Sequence, residues 1–174
     1  SPPSDAPAAV MDSTAVSGCT RTDGSDPDRF AMVLSNLAYN APISRLSETH
    51  EDGDRIAEAL AETGFSVQRC RDVGRSETLN GLREVGRKSL ARKQAGAHPT
   101  TFFYYSGHGA ARETGGNYLI PVGEADELNA ALWDDSVELD WVMERLLCGV
   151  KLNPQDIAGM GVGGLLKEIP TRPR

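Results

Sequence analysis

The stretch TTFFYYSGHG, Thr100 to Gly109, decides how this chain folds. It opens on Thr100 to Tyr105, threonines and aromatics of the kind that suit a pleated, packed strand. Pro99 ends whatever precedes it. It closes on Ser106-Gly107-His108-Gly109, where glycines let the chain turn. His108 is therefore predicted to stand where this strand ends.

Upstream, Phe30 to Leu34 is a short continuous apolar run, as expected of a strand buried on both faces. Thr49 can cap a helix with Asp52 as its capping-box partner, Ile56 and Leu60 mark one helical face, and Gly64 stops it. Phe65 to Cys70 alternates apolar and polar residues and predicts a second strand. Ser76 is the expected cap of a helix carrying Leu79, Leu82, Val85 and Leu90. Downstream, Asn117 to Val122 suggests a short extended piece. Ser136 is the expected cap of a last helix whose Leu139, Val142, Met143, Leu146 and Leu147 recur at helical spacing. Strand, helix, strand, helix, strand implies an α/β fold with parallel strands and helices on the sheet faces. In such sheets ligands meet the carboxyl ends of the strands.

Three regions follow. Residues 1–28 are rich in Ser, Pro, Ala, Asp and Gly without apolar period and are assigned as a disordered arm; 29–147 form the α/β domain; 148–174 are an irregular tail broken by glycines. The net charge of −7 and pI near 5.0 argue against nucleic acid as a partner, which needs clustered Lys and Arg. No run approaches the ~18 apolar residues of a membrane span, so no membrane association is expected. Cys19, Cys70 and Cys148 are odd in number and widely spaced, which signals neither a disulfide framework nor a zinc site and fits a reducing, cytoplasmic compartment. His50, His98 and His108 lack metal-ligand spacing with any Cys or acid, so no metal or cofactor is expected. No G-x-S-x-G elbow is present, and no G-x-G-x-x-G cradle follows the first strand.

Histidine is the side chain whose unperturbed pKa lies near neutrality, so one placed at position 108 can take a proton from a thiol and return it to a leaving amine. Gly107 and Gly109 leave room for a substrate backbone, and the Gly109 amide can face a developing oxyanion. Gly-His-Gly alone fits a solvated loop histidine as well.

Tyr104-Tyr105-Ser106-Gly107-His108-Gly109 followed by Gly116-Asn117-Tyr118-Leu119-Ile120-Pro121 closely resembles the histidine region of caspase-like, metacaspase-type cysteine peptidases. Ser35-Asn36-Leu37-Ala38-Tyr39 resembles that family's first strand end, with Ser35 where Gly is more usual. Glu51-Asp52 is similar to a segment that is commonly Asn-Asp, and Gly64-Phe65-Ser66-Val67 matches the junction into the second strand. The resemblance covers roughly residues 29 to 147. It implies a three-layer αβα caspase-like fold and cleavage of peptide or protein substrates, with Arg or Lys before the cut bond. His108 becomes the catalytic histidine, Gly109 an oxyanion donor, and Asp52 and Ser106 candidates for the basic-residue pocket. Asp52 also has a simpler use, since an acid in a first helical turn stabilises the helix.

The family's next apolar strand, ending in Asp-x-Cys, is not found, and the fold is expected to be incomplete at its C-terminal side. Cys148 follows the last helix directly. Ten helical residues carry the chain about 15 Å from the edge where the helix begins, whereas a base must lie within roughly 3 Å of the proton it takes. Cys70 ends the second strand and is expected to pack as a small hydrophobe, and Cys19 lies in the arm. Three readings follow: an endopeptidase whose cysteine strand lies outside the chain, a catalytically inactive pseudoprotease that binds peptides or a partner domain, and a plain interaction module.

Overall fold

The computed structural model describes residues 18–123 and 131–146. In chain order the elements are β1 (Gly18–Thr22), β2 (Arg29–Ser35), α1 (Thr49–Glu62), β3 (Ser66–Arg71), α2 (Arg75–Gln94), β4 (Thr100–Ser106), β5 (Gly109–Ala111), β6 (Asn117–Leu119), α3 (Ala131–Asp135), β7 (Val137–Glu138) and α4 (Leu139–Leu146).

The apolar run of β2 sits in the middle of the main sheet, flanked by β3 and β4, and both neighbours are parallel to it. Alternation along the strand sends Phe30, Met32 and Leu34 to one face and Ala31 and Val33 to the other. The first face packs against Leu79, Leu82 and Val85 of α2 and Val142 and Leu146 of α4. The second packs against Ala57 of α1, with Ile56 and Leu60 beside it. Helices on both sides of a mainly parallel sheet make the expected three-layer αβα arrangement. Burying each such Leu, Val or Phe contributes about 1.5–3 kcal/mol, so these two interfaces dominate the fold. The helices α2 and α4 cross closely at Gly86, where a Cβ would stand 2.4 Å from the Arg145 carbonyl oxygen. The expected incompleteness at the C-terminal side falls on residues 147–174, outside the described residues.

Several expectations are corrected. The arm assigned to residues 1–28 is ordered from Gly18 onward: β1 pairs antiparallel with β3 and forms the sheet edge opposite β4. Residues 1–17 lie outside the described residues. Four of the five β1 residues are exposed, so the strand has no apolar face and left no periodicity to read. Its backbone bonds to β3, an Arg21–Glu84 ion pair to α2, and a disulfide hold it instead.

That disulfide joins Cys19 to Cys70, directly opposite each other across the β1–β3 ladder. Cys70 is thus not a free apolar packer. The inference of a reducing compartment loses its ground, since disulfides persist in oxidising ones. A pair 51 residues apart is set by strand register, which cysteine spacing does not reveal.

The helix caps also differ. Thr49 is already helical, and Glu48 precedes it with left-handed backbone at φ 65° and no side-chain cap bond. The helix α2 begins at Arg75 rather than after Ser76, and the Glu77 carboxylate accepts the Gly74 N–H at 2.9 Å. Ser136 donates to the Leu132 carbonyl at 2.6 Å and so closes α3, while α4 starts after the two-residue β7. β5, β6 and β7 form a small antiparallel sheet where the sequence predicts only one extended piece.

Candidate active site

The carboxyl ends of β2, β3 and β4 lie side by side, with Ser35 in register with both Arg71 and Ser106. The candidate residue His108 and the polar residues around it collect at this edge. His108 follows β4 by two residues. It is half-buried and held by neighbours from three segments.

Its backbone is fixed by a pair of phenols. The His108 N–H donates to the Tyr39 hydroxyl at 3.0 Å, and the His108 carbonyl accepts from the Tyr105 hydroxyl at 2.6 Å and from the Ile120 N–H at 3.0 Å. The Tyr39 hydroxyl in turn donates to the Ile120 carbonyl at 2.8 Å. Burial raises both phenols above their ordinary pKa, so both remain neutral donors at any physiological pH. Gly107 is required by this pair: a Cβ there would meet the Tyr105 hydroxyl at 2.5 Å and the Tyr39 hydroxyl at 2.7 Å. The space beside Gly107 is therefore filled by tyrosine, not left for a substrate backbone.

The imidazole itself is oriented by backbone. His108 Nε2 lies 2.8 Å from the Ser44 carbonyl oxygen. A carbonyl has no proton to give, so Nε2 carries the hydrogen and the neutral ring keeps its lone pair on Nδ1. The Tyr39 ring lies edge-on at 4.7 Å between centroids and limits the tilt of the imidazole. A lone pair set by a hydrogen bond on the other ring nitrogen is what a general base requires.

Tyr39 and Ser44 both belong to the loop between β2 and α1, and the base of that loop is tied down. Leu46 N–H donates to the Leu37 carbonyl at 3.1 Å, closing the neck. Asp72, just past β3 in left-handed backbone at φ 48°, accepts the Leu37 and Ala38 N–H groups on one oxygen at 2.7 and 2.8 Å. Its other oxygen accepts from His50 Nε2 at 2.7 Å, and the Ser35 hydroxyl lies 2.9 Å from His50 Nδ1. Burial opposes ionisation of Asp72, but the Ala38 and Leu37 amides and the His50 ring outweigh it and hold the carboxyl below the usual carboxylate range.

The Ser35, His50 and Asp72 side chains meet in the order of a hydrolytic triad. Ser35 is only 1 % exposed, and a Cβ on Gly53 of α1 would stand 3.1 Å from the Ser35 Cβ, so helix and serine are in close packing and the hydroxyl is shut off from substrate.

The remaining sequence candidates share the edge without touching His108 through any described hydrogen bond. Gly109 opens β5, is exposed, and is in register with Leu119 of β6. Ser106 ends β4, and its carbonyl accepts the Asn36 N–H at 2.8 Å. Asp52 lies exposed in the first turn of α1.

The caspase-domain family model matches residues 28–143. The chain belongs to the caspase domain family. The match spans β2 to α4 and contains all the site residues just described. A comparison with curated proteins gives no match. The family makes this a cysteine-peptidase-like domain, with protein substrates in the broad sense.

Among the described residues, no group of His, Cys, Asp and Glu is arranged to hold a metal ion, and no helix is long and apolar enough to cross a membrane. Sequence reasoning singles out His108 but not Tyr39, Ser44 and Tyr105, which hydrogen-bond to it, nor the His50–Asp72 pair beside them. Tyr39 and Tyr105 were inside the quoted motifs. Nothing in the sequence tied Asp72 to a loop more than thirty residues earlier, a contact made by parallel strand pairing.

Proposed function

We propose that this chain carries the histidine half of a cysteine endopeptidase site. In this reading His108 Nδ1 takes the proton of a thiol, the thiolate attacks a peptide carbonyl, and the resulting imidazolium protonates the leaving amine. The Gly109 N–H stabilises the oxyanion, and Asp52 and Ser106 face an Arg or Lys side chain before the cut bond. The observation that carries the reading is the Nε2–H bond from His108 to the Ser44 carbonyl, which leaves the basic lone pair on Nδ1, at the carboxyl edge of the sheet where ligands of such folds bind. Cys19 and Cys70 are bonded to each other, so the thiol lies outside the described residues.

The test is cleavage of Arg- or Lys-ended fluorogenic peptides. Cleavage stopped by a thiol alkylator and lowered at least about a hundredfold in His108→Ala is the expected result. Cleavage insensitive to both would overturn it.

A second reading, a caspase-like binding module that does not cut, is favoured by the same disulfide, because neither described cysteine offers a thiol. Saturable binding of the Arg- or Lys-ended peptide without cleavage would select it.

A further inference from the structure

We propose that Asp72 is a positioning residue for His108, acting through the loop from Leu37 to Leu46. This deepens the peptidase reading and rests on His108 being the acid/base group. His108 is oriented by two groups of that loop, the Ser44 carbonyl on Nε2 and the Tyr39 hydroxyl on its backbone N–H. The far part of the loop is held by apolar packing of Tyr39 and Ile43 with Ile120 and Leu132. Its neck is closed by the Leu46–Leu37 backbone bond, and the Leu37 and Ala38 N–H groups both end on one Asp72 oxygen.

The second Asp72 oxygen reaches the other end of the same segment. His50, the second residue of α1, donates Nε2–H to it, and the Ser35 O–H donates to His50 Nδ1. One carboxylate thereby ties together the end of β2, the start of the loop and the start of α1. Asp72 N–H donates to the Ser35 carbonyl at 3.0 Å, so its own backbone belongs to the same knot. Charge-assisted bonds of this kind are roughly twice as strong as neutral ones. A loop held by one carboxylate at both ends keeps Ser44 and Tyr39 where a 1 Å shift would matter.

The chemistry also selects the residue type. Left-handed backbone at φ 48° is tolerated by Asp, Asn and Gly. Among these only Asp offers two acceptor oxygens, one for the amide pair and one for the imidazole.

The experiment follows the His108 ring nitrogens and the backbone amides by NMR in the full chain, comparing wild type with Asp72→Gly and Asp72→Asn. Asp72→Gly keeps the backbone at ease and removes both ties. The expected result is loss of the fixed Nε2–H tautomer of His108 and amide exchange at Leu37 and Ala38 faster by about tenfold or more. Asp72→Asn keeps one acceptor oxygen for the two amides and is expected to restore most of the His108 signature, a rescue that general destabilisation would not give. Should Asp72→Gly not fold, His50→Ala replaces it: residue 72 keeps its backbone, the tie from Asp72 to α1 is cut, and the His108 tautomer is expected to loosen in the same direction. A His108 tautomer unchanged in a folded Asp72→Gly or His50→Ala protein overturns the proposal. Absence of peptide cleavage with the tautomer response intact would instead sink the peptidase reading and leave this one standing.

Discussion

Removing the cross-strand disulfide should cost this domain a large share of its stability. Cys19→Ser is the cleaner variant, because Cys19 is exposed whereas Cys70 is fully buried and tolerates being a thiol. The bond closes a sequence separation of 51 residues. In the chain-entropy picture that closure removes about 14 cal/mol/K from the unfolded ensemble, or about 4 kcal/mol at 25 °C. Release of β1, which buries little of its own surface, would give back part of the lost entropy, so the measured loss should fall between about 2 and 4 kcal/mol. Against a typical domain stability of about 5–15 kcal/mol this is a major effect. Urea unfolding of oxidised wild type, reduced wild type and Cys19→Ser tests it. The reduced and substituted proteins should share a lowered midpoint, and reductant should not move Cys19→Ser further. Thiol titration of the oxidised protein in denaturant should find one of the three cysteines free and all three after reduction. Three free thiols before reduction, or equal stability with and without reductant, would refute the argument.

Other outcomes follow from the same geometry. Gly86→Ala places a methyl against the Arg145 carbonyl where α2 meets α4 and should cost about 1–3 kcal/mol in a thermal or urea melt, despite alanine's better helix propensity. Leu82→Ala empties a fully buried position facing the sheet and should cost about 2–5 kcal/mol in the same assay. Asp72, with its folded pKa held down, contributes stability that is complete above its unfolded value of about 3.9 and is lost as pH falls through the lower folded value. Urea midpoints measured from pH 5 downward should therefore drop more steeply in wild type than in Asp72→Asn.

Part of the site was legible before any coordinates. A threonine and aromatic strand running into Gly-His-Gly puts the histidine at the carboxyl edge by chain direction alone, and β4 and His108 are found there. The supports of His108 were not legible, because each comes from a different segment. Tyr39 reaches it across 69 residues and Ser44 across 64, and neither separation follows any local period. The glycine at position 107 suggests space for a substrate, yet two phenols occupy that space, which only packing could decide.

The sequence by itself determined the alternation of buried strands and amphipathic helices, because burial on both faces of β2 demands an unbroken apolar run and one helix face demands its spacing. Tertiary structure decided the rest. The exposed β1 strand, the Cys19–Cys70 bond across it, and the carboxylate of Asp72 gathering Leu37, Ala38 and His50 all depend on which strands lie side by side. Register brings together residues that are remote in sequence, and a polar contact of that kind carries no hydrophobic period to announce it.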